Sequence, residues 1–364
     1  MSEDAIARIA ATIAAQGPIT VAQFMAMALI EQQSGYYATR NPLGSDGDFI
    51  TAPMVSQMFG ELIGLWCAQC WEDQKRPARP LLVELGPGDG TLMADALRAL
   101  KRVPAFAPEV VLVEASPVLR DLQTKKLGDV RHAGSLDEIP QGRPLFLIAN
   151  EFFDALPVHQ YVKTPHGWCE RMVTLDAEGR LAFAVAPVAL PLGRAPANRD
   201  GAPDGGFYEA SPAGEAIAEE IAHRITGHGG AALLIDYGYD VPGFGETLQA
   251  VAAHRYAEVL TAPGRSDLSA HVDFAALGDA VVRGGASACG PVEQGAFLVG
   301  IGIVQRAEIL ANGDAGSRRG APHLADKPDI LLQLDRLVRP EQMGTLFKAL
   351  AIVPKRAPAP AGFE

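Results

Sequence analysis

The feature that most constrains the fold is a glycine-rich turn between an apolar segment and an amphipathic one. Residues 81–84 are apolar up to a final glutamate, residues 84–90 read Glu-Leu-Gly-Pro-Gly-Asp-Gly, and residues 91–101 carry apolar side chains at helical spacing. Glycines at alternate positions let the backbone turn where a Cβ would collide. The segment is typical of a strand, a tight turn and a helix, so a ligand is expected at the carboxyl end of this strand.

Short apolar segments recur along the chain at the spacing that a parallel sheet requires. Each is apolar over most of its length, as strands buried on both faces are. We therefore predict an α/β fold: a Rossmann-like, mostly parallel sheet with helices on both faces. Its predicted strands after the first are residues 110–114, 129–132, 144–150 and 231–237.

The remaining sequence is expected to add to this sheet. We divide the chain into an N-terminal helical region with a glycine-rich loop, a first half of the sheet domain, a β-rich and loop-rich insertion, a second half, and a flexible tail. These are residues 1–75, 76–156, 157–210, 211–353 and 354–364. Outside the sheet we predict helices at 3–15, 20–32, 211–226, 272–285, 303–311 and 339–350, strands at 159–171, 172–185 and 296–303, a loop at 188–206, and a long helix capped by Thr51.

Charge and composition exclude several classes of function. The net charge is −12, and no basic stripe is present, which argues against a nucleic-acid partner. No apolar run reaches the roughly 18 residues that span a bilayer, and the first residues do not resemble a targeting signal, so we expect a cytoplasmic protein without membrane insertion. Cys67 and Cys70 continue a helical apolar pattern, so we assign them to the core and expect neither redox chemistry nor a metal site.

The glycine spacing discriminates between two nucleoside cofactors. A dinucleotide fingerprint has the order G-x-G-x-x-G, and counting from Gly86 and Gly88 its third glycine falls at Thr91. The observed order is acidic-x-G-x-G-x-G, from Glu84 to Gly90, which is typical of class I methyltransferases. A carboxylate beside a sulfonium and an ammonium is electrostatically favourable, whereas beside a pyrophosphate it is not. The sequence therefore favours S-adenosylmethionine, with a nicotinamide-dependent oxidoreductase as the alternative.

Three further residues are candidates for cofactor binding. Glu114 ends the second predicted strand, where a carboxylate can accept hydrogen bonds from both ribose hydroxyls. Ser135 closes the segment after the third strand, which is expected near the adenine. Asn150 ends the fourth strand, with a purely structural cap as the alternative.

The acceptor site is predicted in the loop after the fourth strand. Glu151 and Asp154 are the catalytic candidates, because carboxylates can orient the planar fork of a guanidinium and stabilise its charge. Phe152 and Phe153 either wall the site or pack in the core. His271, with Asp273, is a third catalytic candidate. Asp273 alternatively caps the helix that follows.

Several segments, in order along almost the whole chain, resemble the mitochondrial dysfunction protein A family. They are residues 34–37, 47–53, 56–61, 84–90, 150–157, 235–238, 267–274, 294–295 and 343–348. The resemblance implies a class I methyltransferase fold with an added N-terminal region and an insertion after the fourth strand. It also implies S-adenosylmethionine as cofactor and methylation of a protein arginine, on a core subunit of respiratory complex I (NADH dehydrogenase), in support of its assembly. An assembly chaperone that keeps the fold but acts by binding the subunit is the alternative, and homodimerisation stays open.

Two features of the N-terminal region bear on this resemblance. The family usually carries a glutamate where this chain has Met54, which would complete a capping box with Thr51 or contact the substrate. Residues 34–50, with Tyr36, Tyr37 and two aspartates (Asp46 and Asp48), are long enough to form a lid over the cleft, with an ordinary surface loop as the alternative.

Overall fold

The computed structural model describes residues 2–31, 35–36, 51–191, 201–241, 243–252, 255–312 and 328–364. Its helices are Ser2–Gln16, Val21–Leu29, Ala52–Val55, Gln57–Asp73, Thr91–Leu100, Pro117–Leu127, Pro212–His228, Phe274–Arg283, Gln294–Gly300, Ile303–Asn312 and Pro328–Val338, with short turns at Leu136–Glu138 and Pro340–Gly344. Its strands are β1 (Ile19–Thr20), β2 (Leu81–Leu85), β3 (Glu109–Val113), β4 (Arg131–Ala133), β5 (Leu145–Asn150), β6 (His159–Thr164), β7 (Gly167–Leu175), β8 (Leu181–Ala189), β9 (Phe207–Ala210), β10 (Gly230–Tyr239), β11 (Gln249–Ala252), β12 (Arg255–Ala257), β13 (Asp267–Ser269), β14 (Val272–Asp273), β15 (Ser287–Glu293) and β16 (Phe347–Val353).

The central sheet has eight strands and confirms the predicted fold class. Its order is β15-β16-β10-β5-β2-β3-β4, with β14 continuing beside β10. The pairs among β4, β3, β2, β5 and β10 are parallel, whereas β16 is antiparallel to both β10 and β15. The chain leaves β2 toward β3 and β4 and then returns to its other side as β5. Strand order therefore reverses between β2 and β5, which is where open α/β sheets bind ligands.

Two helical layers cover this sheet because β2, β5 and most of β10 are buried on both faces. Helices Gln57–Asp73 and Thr91–Leu100 lie on one face, and Pro212–His228 and Phe274–Arg283 on the other. The first two helices approach closely because the longer one carries glycine at the contact: a Cβ on Gly64 would lie 2.7 Å from the Cα of Ala96. The result is a core on each side of a rigid sheet.

A second, five-stranded sheet joins the N-terminal region to the inserted segment. Its order is β1-β7-β6-β9, with β8 against β7. Ile19 of β1 pairs with Val173 of β7, and Phe24 and Met25 of the following helix are fully buried beneath the sheet. The insertion contains three strands up to residue 189 rather than the two predicted, because turns at residues 165–166 and 176–180 divide it.

Three predicted elements outside the sheet were wrong. The apolar segment 296–303 begins in helix Gln294–Gly300, after strand β15, and the predicted helix 339–350 is a turn followed by β16. Burial of β16 between β10 and β15 overrides its helical pattern. The long helix begins at Gln57, capped by the Ser56 hydroxyl, which accepts from the Met58 amide at 3.3 Å; Thr51 instead precedes the four-residue helix Ala52–Val55.

The C-terminal residues, expected to be frayed, pack against the sheet domain. The Trp66 indole donates to the Ala361 carbonyl at 3.1 Å, and the rings of Phe363 and Phe297 lie 5.2 Å apart. Cys67 and Cys70 are buried within helix Gln57–Asp73, as predicted. Among the described helices, none is both long and apolar enough to cross a membrane.

Candidate functional site

The glycine-rich turn leaves the end of β2 in a conformation that requires glycine. Gly86, Gly88 and Gly90 have φ values of +60°, +54° and +81°, which L side chains adopt only with strain. A Cβ on Gly86 would lie 2.9 Å from Cδ2 of Phe152. The turn therefore has no room for a side chain at Gly86, and Gly90 is the N-cap of helix Thr91–Leu100.

Glu84 is a buried carboxylate that lacks a partner on one oxygen. The residue is 3% exposed, and its Oε2 accepts no hydrogen bond within the described part of the chain. Burial, followed by the nearby charges of Asp89 and Glu114, raises the pKa of Glu84 to about 8. Asp89 is already neutralised by Lys126, 2.6 Å away. A cationic ligand above the turn would supply the charge and the donor that Glu84 lacks.

Glu114 and Ser135 lie on the adjoining strands of the same edge. The Ser116 amide donates to Glu114 Oε1 at 2.8 Å, whereas the contact from the Gln123 amide to Oε2 is longer, at 3.4 Å. The same Gln123 amide donates to the Gly88 carbonyl at 2.7 Å, which ties Glu114 to the turn. Ser135 precedes the turn Leu136–Glu138 without a side-chain cap hydrogen bond. Both Glu114 and Ser135 keep acceptor capacity toward the cleft.

Glu151 sits in a strained position directly after β5. Its φ is +51°, unusual for a residue other than glycine. Its Oε1 accepts from the Ala52 amide and from the Asn150 side-chain amide, each at 3.2 Å, and Asn150 Oδ1 has no partner among the described residues. Burial and then Asp154 raise the pKa of Glu151 to about 7. Strain is tolerated where the surrounding structure fixes a functional group.

Asp236, the last buried residue of β10, holds this loop and was not identified from the sequence as a site residue. Its Oδ2 accepts from the amides of Phe152, Phe153 and Asp154 at 3.0–3.2 Å, and its Oδ1 accepts from the Tyr237 amide at 3.0 Å. The available signal was its position: like Glu84 and Glu114, it is an acidic residue where the buried part of a strand ends.

Asp154 and His271 meet at Tyr237. The Tyr237 hydroxyl donates to Asp154 Oδ2 at 2.6 Å, while Asp154 Oδ1 has no partner in the described structure. Burial raises the pKa of Asp154 to about 6. The His271 ring lies edge-to-face on Tyr237, 5.5 Å between centroids, and burial lowers its pKa. Asp273 caps the next helix by accepting from the Ala276 amide at 2.9 Å, so its structural interpretation is confirmed.

These side chains line one cleft of about 1340 Å³. Of the candidate residues, those on the cleft are Glu84, Gly86, Gly88, Glu114, Ser135, Asn150, Glu151, Asp154 and His271, whereas Gly90 is not part of the lining. Phe152 faces the cleft, whereas Phe153 is buried in the core. Among the described residues, the lining carries eight acidic side chains and one arginine, Arg336. This charge balance suits a cationic ligand and a cationic substrate.

The N-terminal region contributes to the same cleft. Thr51 and Met54 line it, and Thr51 makes no side-chain cap hydrogen bond in this chain. Tyr36 is fully buried against the N-terminal helices. This position favours packing on the domain over a role of Tyr36 in a lid. Tyr37, Asp46 and Asp48, which the lid hypothesis also invokes, lie outside the described residues.

Comparison with known proteins identifies relatives over the whole chain. Residues 62–292 match the model of a family described as "Putative S-adenosyl-L-methionine-dependent methyltransferase". The mitochondrial protein arginine methyltransferase NDUFAF7 of Bos taurus is 38% identical over 94% of this chain and 81% of its own length, and that of Homo sapiens is 36% identical over the same shares. A solved structure from Burkholderia thailandensis, bound to S-adenosyl-homocysteine, is 28% identical with a TM-score of 0.85, and it covers 99% of this chain and 94% of its own.

Proposed function

Because the chain belongs to this family of S-adenosyl-L-methionine-dependent methyltransferases, we propose that its methyl acceptor is an arginine side chain of a protein. The observation that carries the proposal is the pair of carboxylates, Glu151 and Asp154, beside the cofactor turn. Asp154 has one oxygen without a partner, and both described hydrogen bonds to Glu151 end on Oε1. Two such carboxylates suit a guanidinium, which presents several donors in one plane.

The residues of the turn fit the cofactor. We assign Glu84 to the charged methionyl end, because a cation there would satisfy its unpartnered oxygen. Gly86 and Gly88 permit close backbone approach, Glu114 suits the ribose hydroxyls, and Ser135 and Asn150 border the adenine and the reactive end. S-adenosylmethionine, when bound, supplies an electrophilic methyl group on a sulfonium. In a structural relative the ligand is S-adenosyl-homocysteine, the demethylated product of this cofactor.

The carboxylates of the acceptor loop have three tasks in this proposal. Asp236 holds the amides of residues 152–154, which fixes where Glu151 and Asp154 lie. These two carboxylates orient the guanidinium so that one nitrogen approaches in line. They also stabilise the positive charge as that nitrogen loses its delocalisation. Their raised pKa values, about 7 and 6, leave them able to accept the released proton near neutral pH.

The names of the relatives support arginine as acceptor, and the family resemblance extends the proposal to its partner. Mammalian, fish and amphibian relatives are named protein arginine methyltransferases. We propose a core subunit of an NADH dehydrogenase (complex I) as substrate, methylated in support of assembly. The animal relatives are named mitochondrial; for this chain we keep a cytoplasmic setting as part of the proposal.

The test separates cofactor binding from turnover. The purified chain is incubated with S-adenosylmethionine and the candidate subunit, and methylarginine is located by tandem mass spectrometry. Glu151→Gln and Asp154→Asn should bind S-adenosyl-homocysteine as the wild type does, yet each should lose turnover by about 10²–10³-fold. Glu178→Gln, the same change on an exposed turn away from the cleft, is the matched control and should be unaffected.

Each contrary outcome has a distinct meaning. Methylation of another residue type, or full turnover in Glu151→Gln, would exclude the proposed acceptor site. If Glu84→Ala abolishes cofactor binding but the chain still captures the subunit and supports assembly, the chain acts as an assembly chaperone. The mass of the product also distinguishes mono- from dimethylation.

A further inference from the structure

The mouth of the cleft carries large apolar side chains that are exposed to solvent. Tyr256 is 82% exposed, Leu346 47% and Ile30 46%, and all three line the cleft. They come from three separate parts of the chain: strand β12, the residue before β16, and the residue after helix Val21–Leu29. Exposed apolar side chains scattered singly need no explanation, whereas a group at the rim of one cleft indicates a contact surface.

The depth of the cleft has the opposite character. Its acidic residues, among them Glu84, Glu151 and Asp154, are buried or partly buried except for the exposed Asp137, and the one arginine or lysine among the described lining residues, Arg336, is exposed. At about 1340 Å³, the cleft also exceeds the roughly 300–1,000 Å³ typical of a site for one small ligand. There is room for a cofactor and for a long cationic side chain that enters from the mouth.

From this division we propose that the rim selects protein segments in which the target arginine has large apolar neighbours. This specificity rests on the proposed function. The guanidinium enters the acidic depth, and the flanking side chains remain at the mouth, where they pack on Tyr256, Leu346 and Ile30. The aromatic ring of Tyr256 offers the largest contact at low entropic cost. Polar side chains beside the arginine would leave the apolar rim exposed to solvent and would add no binding free energy from it.

Peptide binding tests the rim independently of catalysis. Two labelled peptides carry one central arginine, with leucine at the two positions on each side in the first and serine in the second. Their affinities for the chain saturated with S-adenosyl-homocysteine are measured by fluorescence anisotropy. We expect the leucine-flanked peptide to bind about tenfold more tightly or better. In Tyr256→Ser/Leu346→Ser this preference should fall below about threefold, while the affinity for the serine-flanked peptide stays constant.

The control variant is Val282→Ser, because Val282 is 57% exposed and does not line the cleft; it should keep the full preference. Leu346→Ser alone guards against misfolding of the double variant, and unchanged affinity for S-adenosyl-homocysteine verifies the fold. Equal binding of the two peptides by the wild type, no binding of either, or survival of the preference in both rim variants overturns the proposal. So does a dimer that the rim substitutions dissociate, since the rim would then bind a second copy.

These outcomes are distinguishable from failure of the proposed function. Preferential binding without any methylarginine would retain the rim as a docking surface and exclude arginine methylation. Methylation of both peptides at equal rates and affinities would retain the function and exclude the rim.

Discussion

Replacing Glu84 by glutamine should change cofactor affinity and apo stability in opposite directions. The carboxylate is 3% exposed, one oxygen lacks a partner, and its pKa is raised from 4.5 to about 8. At pH 8, Glu84→Gln removes a charged hydrogen-bond partner of the cofactor, a loss of about 1.5–3 kcal/mol, or roughly 10–150-fold in Kd. At pH 7 the wild type must first ionise Glu84, which costs on the order of 1 kcal/mol. The difference between the two proteins should therefore shrink as the pH falls from 8 to 6.

In the absence of cofactor the substitution has the opposite effect, because it should stabilise the folded chain. A carboxyl with a higher pKa in the folded chain holds a proton that the unfolded chain releases, so its contribution to stability is fully present below pH 4.5 and is lost as the pH rises through 8. By pH 9 the loss is on the order of 4–5 kcal/mol. Glu84→Gln removes this loss. Its thermal midpoint should exceed that of the wild type at pH 9 and should match it near pH 4.5.

Calorimetry provides the decisive assay. At pH 7, titration of S-adenosylmethionine in buffers of different ionisation enthalpy should show more protons released per cofactor by the wild type, by up to about one, than by Glu84→Gln. Glu84→Gln also serves as the control, because any protons that the cofactor itself releases are the same for both proteins. Equal proton release by both proteins, or equal affinity at pH 8, would refute the assignment of Glu84 to the cationic end of the cofactor.

Three further outcomes are expected. Asp236→Asn should lower the free energy of unfolding by about 1.5–3 kcal/mol, because it places a side-chain amide against backbone N–H donors. It should also reduce turnover with little change in S-adenosyl-homocysteine affinity. Turnover equal to that of the wild type would contradict the role of Asp236 in holding residues 152–154. Gly86→Ala should abolish cofactor binding, measured by calorimetry, and Phe152→Ala should restore part of it by removing the ring that the new Cβ meets. Cys67 and Cys70 should resist iodoacetamide in the native chain at pH 8, since burial raises both thiol pKa values, that of Cys67 to about 12; rapid alkylation seen by mass spectrometry would contradict this.

The sheet could be predicted because its signals are local. Strands β2, β3, β5 and β10 each contain a predicted apolar segment, and each buries both faces over most of its length. The glycine spacing after β2 is also a local signal, since it reflects the positive φ angles of Gly86, Gly88 and Gly90. The same rule, an acidic residue at the carboxyl end of a buried strand, located Glu84 and Glu114 on the cleft.

Other features depend on contacts between distant segments and could not be inferred in this way. The hydrogen bonds from the amides of residues 152–154 to Asp236 connect positions that are 82 to 84 residues apart in the sequence. They form only when β5 and β10 are neighbours. The predicted helix 339–350 includes the first four residues of β16, and the position of β16 between β10 and β15 decides its structure. The apolar rim is likewise assembled from three segments, none of which is distinctive alone.

The pairing of β1 with β7 has a consequence for synthesis of the chain. Ile19 cannot pair until Val173, 154 residues later, has been synthesised. At about 5–20 residues per second, synthesis of this stretch takes roughly 8–30 s. During that interval the glycine-rich turn and β2–β5 have already left the ribosome, while the partner of β1 and the later strands β10 and β16 have not. The cofactor edge is therefore translated before Tyr237, Tyr256 and His271, which complete the cleft, and the sheet of the nascent chain is incomplete until β16 has been made.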